Sequence, residues 1–366
     1  MALKKNNYAI AENSLFLLSC FVFLLIFPIR ISAQDHYDST GYSIPASRYI
    51  EKMDTIISLR LNVNSEFEQF VVNGDNFYYD IRPNISLSSK ISINYRFISL
   101  GFGFTPKFIP GNNDNELEGK TKTFSMGANI STKHLLQELL AIHVRGFYLY
   151  NTGDYDTDWQ KGVDPYTQFP DLDVIAIRGS TGYKVNENYS LKSLSSQTEI
   201  QLKSCGSFFP YLIYNLYIID DQAPDQASSQ KSDNFNAIAS IGYAYTLVTR
   251  SKFYGALGFS AGFGLHYTKL LTRRPEGNQT TYYTDPLFRF QENISFGYNS
   301  KKFFTGLESS FAQRTHNQDD KSVHEKGIRT FFQVFAGYRF TAPWFVKHET
   351  DIVKKAVPGK LQKIIE

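Results

Sequence analysis

The chain has 366 residues, 42% hydrophobic and 16% aromatic, with 38 basic and 35 acidic side chains and a formal net charge of +3. That near balance argues against a nucleic-acid-binding protein, which carries a marked basic excess. Two cysteines, Cys20 and Cys205, are too few for a cysteine-built metal site.

The N-terminus reads as a secretory signal. Lys4 and Lys5 form a positive start, "LFLLSCFVFLLIF" at 15–27 is an apolar run, and Ser32 and Ala33 offer a small-residue cleavage point before Gln34. The run is too short for a spanning helix, which needs about 20 residues. Removing 1–33 takes away Lys4, Lys5, Arg30 and Glu12, which leaves 35 basic and 34 acidic residues and Cys205 alone. Residues 34–53 are then expected to form a periplasmic N-terminal segment.

From 54 to 341 the chain alternates apolar and polar residues. In "FYGALGFSAGFGLHYTK", 253–269, the residues Phe253, Leu257, Phe259, Ala261, Phe263, Leu265 and Tyr267 share one face. The other face is small and nearly uncharged. An exported chain with aromatic, alternating strands and no later membrane helix predicts an all-β fold, a transmembrane antiparallel β-barrel of about twelve strands (roughly 10–14). The expected strands are 55–63, 77–88, 91–107, 120–131, 141–150, 172–185, 206–219, 234–248, 252–269, 286–298, 302–313 and 328–340. Within 91–107 the apolar phase slips near Ile98 and Ser99, as a β-bulge would cause.

Short connections near 89–90, 249–251 and 299–301 alternate with long polar loops at 64–76, 108–119, 151–171, 220–233, 270–285 and 314–327. Short periplasmic turns and long outer loops are the expected pattern, with both termini periplasmic in the outer membrane. "NENYSLKSLSSQTEIQLKSCGS", 186–207, breaks the alternation. A spanning strand there would put long loops on opposite sides, so 187–204 is expected to lie at the periplasmic mouth or fold into the lumen. After Pro343 a periplasmic tail, 342–366, mixes apolar and basic residues.

Phase predicts an inward excess of arginine: Arg60, Arg82, Arg96, Arg145, Arg178, Arg289, Arg329 and Arg339, against the acids Asp80 and Glu308. Such a lumen favours anions; equally, arginines paired with carboxylates and backbone groups fill and stiffen barrel interiors. If Glu187 or Glu199 pairs with these arginines, 187–204 is a partial plug. His143 and His266 point inward by phase and have no serine motif beside them. The loop "RTHNQDDKSVHEK", 314–326, gathers His316, Asp319, Asp320 and His324, which reads as a solvated loop before a cation site. No catalytic residue, metal site or cofactor is expected, and the chain is read as a non-enzyme.

"YKVNENYSLKSLSSQTEIQLKSCGSFF", 183–209, is similar to the signature of the domain-of-unknown-function 4421 family, carried here by Tyr183, Asn186, Gln197, Gln201, Ser204, Gly206 and Ser207. "DIRPNISLSSKISINYRFISLGFGFTP", 80–106, and "GYRFTAPWF", 337–345, resemble the family's paired strands and closing strand. The resemblance covers roughly 47 to 345 and departs from the pattern at Cys205, where a small residue such as alanine is expected. It implies an uncharacterised outer-membrane barrel of the Bacteroidota, in contact with lipid, and implies no activity. Three classes stay open: a narrow or plugged channel for small solutes, anions among them; a non-catalytic structural or partner-binding envelope component; and a lipid-active or proteolytic barrel enzyme.

Overall fold

A computed structural model describes residues 49–65, 70–74, 77–222, 229–249, 252–316 and 328–348. All of them belong to one compact unit, Ala46–Glu366. The signal, most of the N-terminal segment and the tail beyond 348 lie outside the described residues.

Sixteen strands form: β1 (Ile50–Lys52), β2 (Ile56–Asn64), β3 (Phe70–Gly74), β4 (Phe77–Arg82), β5 (Ser88–Tyr95), β6 (Ile98–Phe104), β7 (Lys122–Ser131), β8 (Leu135–Leu149), β9 (Gln168–Tyr183), β10 (Glu199–Gln201), β11 (Cys205–Asp221), β12 (Ser229–Val248), β13 (Phe253–Arg273), β14 (Gln279–Asn299), β15 (Phe303–His316) and β16 (Ile328–Thr341). Twelve of them, β2, β5 to β9 and β11 to β16, join in one antiparallel ring that closes where β16 pairs with β2. Closure leaves no unpaired edge, which a sheet in lipid requires. The ring is a transmembrane-type barrel: Leu61, Ile93, Phe102, Ile177, Leu216, Phe263, Phe296 and Leu307 are all exposed on its outer surface, and many inward positions, such as Ser58, Asn62, Asn94, Asn215, Asn236 and Ser260, are small or polar. That inversion of the usual soluble pattern is what a hydrocarbon solvent selects.

The strand number matches the expectation, but two assignments inside it are corrected. Residues 91–107 are not one bulged strand. They form a hairpin, with Tyr95 paired to Ile98 across a tight turn at Arg96, whose φ is +52°. "YRFI" carries none of the Gly or Asn residues that usually mark such turns, so the phase slip there mimics a bulge. Residues 77–88 do not span. β4 pairs with β3 and is laddered to the ring at Ile81 and Arg82, opposite Leu149 and Tyr148 of β8. Pro83 cannot donate to a ladder. Beyond it the chain is tied down by Asn112, whose side chain accepts from Ser86 N (2.8 Å) and Leu87 N (3.1 Å) and donates to Leu87 O (2.7 Å).

The described short turns (96–97, 132–134 and 300–302), with the end of β12 and the start of β13, sit at the ring end where β2 begins and β16 finishes, here the near end. The insert between β9 and β11 leaves and re-enters the ring at that same end.

Inside the wall, aromatic rings pack over glycines. A Cβ on Gly337 would stand 2.0 Å from Phe304 Cζ and 2.5 Å from the Leu59 carbonyl oxygen. Phe304 is fully buried and cannot retreat. Gly337→Ala is therefore expected to cost about 1–3 kcal/mol. The check is the temperature at which the folded band disappears from an unheated-to-heated gel series; an unchanged temperature contradicts this packing.

Candidate functional site

The insert 184–204 occupies the near end of the lumen. Despite its polar composition, Tyr189, Ser190, Ser193, Gln197, Thr198, Glu199 and Gln201 are all buried. It packs as a coiled knot of turns stabilised by its own side chains. Ser190 Oγ donates to Glu199 Oε2 (2.6 Å), and Ser190 N donates to Gln201 Oε1 (2.7 Å). Gln201 Nε2 reaches the Asn188 carbonyl (2.9 Å). Buried polar groups are tolerated only when paired in this way.

Two wall arginines hold the knot from the ring side. Arg60, on β2, donates to the carbonyls of Leu194 (3.0 Å) and Ser195 (2.5 Å) and to Glu308 Oε1 (3.0 Å), with its guanidinium over the Phe335 ring. Arg339, on β16, donates to Gln197 O (2.8 Å), Asn299 Oδ1 (2.7 Å) and the Ser300 carbonyl. Gln197 sits at a φ of +57° with its side chain fully buried. From the outside, β1 pairs with β10, Ile50 opposite Gln201 and Lys52 opposite Glu199. The knot is thus gripped between the ring and the strand leading into it.

Arg60 and Arg339 meet main-chain carbonyls of the insert, and neither Glu187 nor Glu199 pairs with them. Glu199 pairs with Lys192 (3.1 Å), and Glu187 pairs with Lys133 (2.8 Å) and His134 (3.2 Å). Glu187 is held below its ordinary value first by the Lys133 hydrogen bond. The reason is geometric: a turn-rich knot exposes several unpaired carbonyls, and a guanidinium has five donors to offer them.

The residues carrying the family-like motif are the joints of this insert. Asn186 Nδ2 donates to Gly206 O (2.7 Å) and Asn186 N donates to Ser207 Oγ (3.0 Å), which staples its two ends together. Ser204 Oγ accepts from Val248 N (2.9 Å), and Tyr183 stacks on His134. Cys205 is buried beside Asn186.

Above the knot lies a cavity of about 660 Å³. Leu191 and Ser195 of the insert form its floor, and its charged lining is Arg60, Lys90, Arg178 and Arg289 against Glu138 and Glu308. Lys90 and Glu138 were missed by the sequence reading. Lys90 sits one residue before the segment assigned as strand, and Glu138 fell in a stretch assigned to a connection.

Several predicted lumen residues stand elsewhere. Arg82 and Asp80 leave the ring with β4, where they pair at 2.5 Å and Arg82 stacks on Tyr150. Arg96 lies in the near-end turn and donates to the Asp54 carbonyl (3.0 Å). Arg145 and His143 face outward, paired with Asp171 (2.7 Å) and Asp173 (2.8 Å). The register opposite exposed Ile175 sets that face, and the bulge at Arg145/Phe147 is where phase counting failed. His266 faces inward, 2.9 Å from Thr268 Oγ1. The side chains of Arg329 and His316, and residues Asp319, Asp320 and His324, lie outside the described residues.

Lys184 is the buried cation of the knot and donates to the Tyr189 carbonyl. Burial lowers it to about 8; Glu199 opposes this and Lys192 adds to it. A released knot would return Lys184 to its ordinary value of 10.5. Between about pH 8 and 10.5 the released state then binds more protons than the seated one, so seating strengthens as pH rises through that window. Seating should accordingly be tighter at pH 9.5 than at 7.5, read as slower protease cleavage of the insert. Lys184→Met should flatten the dependence; an unaltered pH profile in that variant contradicts the assignment.

Fold and site together define a membrane-type barrel whose lumen is stoppered by an insert of its own chain. The chain belongs to the family described as "Domain of unknown function (DUF4421)", whose model matches residues 37–340. A comparison with curated proteins finds no match. Among solved structures, the chain is similar to the outer-membrane expressed OmpT of Vibrio cholerae, at 10% identity and a TM-score of 0.27, covering 80% of this chain and 97% of that one. It is similar to the Ralstonia pickettii toluene transporter TbuX, at 8% identity and a TM-score of 0.25, covering 79% and 89%. A bacterial polysaccharide outer membrane secretin aligns at 8% identity and a TM-score of 0.26, covering 78% and 99%. Overlaps this loose carry no argument, so the barrel rests on its own register.

Proposed function

We infer that the protein is an outer-membrane channel for small anions, held closed by its own insert. The observation that carries this is the cavity: it is floored by the insert and lined by four cations against two carboxylates. A basic lumen with low-dielectric walls concentrates anions. Twelve strands lie between barrels that side chains fill and barrels that leave an open channel, so one short insert suffices as a stopper.

On this reading the signal 1–33 is removed and 34–53 and 342–366 are periplasmic. The near end, with its short turns, faces the periplasm and the long loops face outward. Lipid contacts the apolar belt. The described site supplies binding and passage, not a reaction.

A second reading, a closed barrel that displays its loops to a partner, is favoured by the density of bonds on the insert. Reversal potentials in asymmetric KCl separate the two. Arg60→Ala, which frees the Leu194 and Ser195 carbonyls, should give an anion-selective conductance. Cation selectivity, or silence in every insert-loosened variant, overturns the channel.

A further inference from the structure

The cavity is two-sided. On the arc formed by β8, β9 and β11, Leu136, Leu140, Tyr211 and Ile213 line it beside the polar Glu138, Ser180 and Asn215, with Leu191 of the insert below them. Half a turn around the ring stand β15, β16 and β2, whose lining residues Glu308, Gln333, Arg60 and Asn62 are all polar. Arg178 stands in this arc: its register partners are Leu140 on one side and Asn215 on the other, and Glu138 is one inward position along from Leu140. A pore built only to pass hydrated inorganic ions gains nothing from such an arc, because apolar wall offers a hydrated ion no replacement for its water. Apolar wall beside placed charges instead suits an organic ligand, and about 660 Å³ is within the size range of such sites.

Resting on the anion reading above, we propose that the cavity binds an amphipathic organic anion, an aryl or medium-chain alkyl carboxylate. Its charged end lies at Arg178 and its apolar body lies along Leu140, Tyr211 and Ile213. A guanidinium pairs with a carboxylate through two parallel hydrogen bonds, and the arc beside it removes the apolar body from water. Arg289, across the lumen, adds to the attraction at entry without fixing the pose.

The test is equilibrium dialysis of the full-length barrel in nanodiscs, with empty nanodiscs as the blank. The probes are benzoate, benzyl alcohol and acetate. Benzoate should bind saturably, and benzyl alcohol and acetate each at least about tenfold more weakly, because one lacks the charge and the other the ring. Arg178→Gln should bring benzoate down to the level of benzyl alcohol, and Leu140→Asn should bring it towards acetate. Both variants should keep the wild-type heat-modified gel shift, which shows the barrel intact. Equal binding of acetate and benzoate overturns the amphipathic site while leaving an anion channel standing. So does saturable benzoate binding that Arg178→Gln does not change. Absence of saturable binding by all three probes overturns the proposal outright, whereas the reversal-potential measurement alone decides the channel.

Discussion

Replacing Arg339 with methionine is expected to unseat the insert and weaken the barrel by about 3 kcal/mol. Methionine keeps much of the side-chain volume over the Phe304 ring, where the guanidinium now lies 4.7 Å from the centroid. What it removes is a set of donors. Gln197 O, Asn299 Oδ1 and Ser300 O lose a common partner in a buried place. An acceptor buried without a partner costs about 1–3 kcal/mol, and three cannot all be rescued without water entering. Water enters most readily if the insert tilts away, so the stability loss and a rise in conductance should come together. The measurement pairs thermal unfolding with bilayer recording. A variant as stable and as quiet as the wild type would show that Arg339 is a spectator.

Tyr189→Ala has the other large expected effect. Tyr189 is fully buried and meets the Phe209 ring at 5.6 Å, edge to face. Its hydroxyl is only weakly held, with Thr246 Oγ1 donating at 3.4 Å. The ring therefore carries most of the interaction. Truncating a buried aromatic costs about 3–5 kcal/mol, and here the loss falls on the contact between insert and wall. Tyr189→Phe, which keeps the ring, should cost about 1 kcal/mol or less. Limited proteolysis of the insert resolves the two: rapid cleavage for alanine, slow for phenylalanine. Equal cleavage of both would place the seating energy elsewhere.

Much of this architecture was legible from alternation alone. Lipid outside and a small polar lumen inside impose opposite demands on successive residues, and strands such as 253–269 show this without interruption. The strand number comes out right because two differences offset each other: 77–88 lies outside the ring, and the hairpin at Arg96 supplies two strands where alternation predicts one. Both arise where local signals are silent. The turn at Arg96 has no turn residue, and the end of β4 is decided by Asn112, many residues away. The insert was legible as non-spanning by parity, since loop lengths on the two sides leave no place for a thirteenth crossing. Its partners were not. Nothing in "SLSSQTE" shows that Leu194, Ser195 and Gln197 would offer carbonyls to Arg60 and Arg339. Those bonds depend on backbone turns, and side-chain chemistry along the sequence does not encode them. Arg145 was misplaced because one bulge, at Gly146 with φ +88°, reversed the face.

Residues 184–204 are proposed to close the lumen at its near end. The ends of the insert are already stapled, Asn186 to Gly206 at 2.7 Å, so 187–204 can be removed and bridged by a short Gly-Ser turn without stretching β9 or β11. Single-channel conductance of the wild type and of this deletion, purified alike and recorded in the same bilayer, tests the claim directly. A closed or barely conducting wild type and a steady anion-selective current in the deletion are expected. A deletion that folds, shifts on the gel as the wild type does and conducts no better would contradict it.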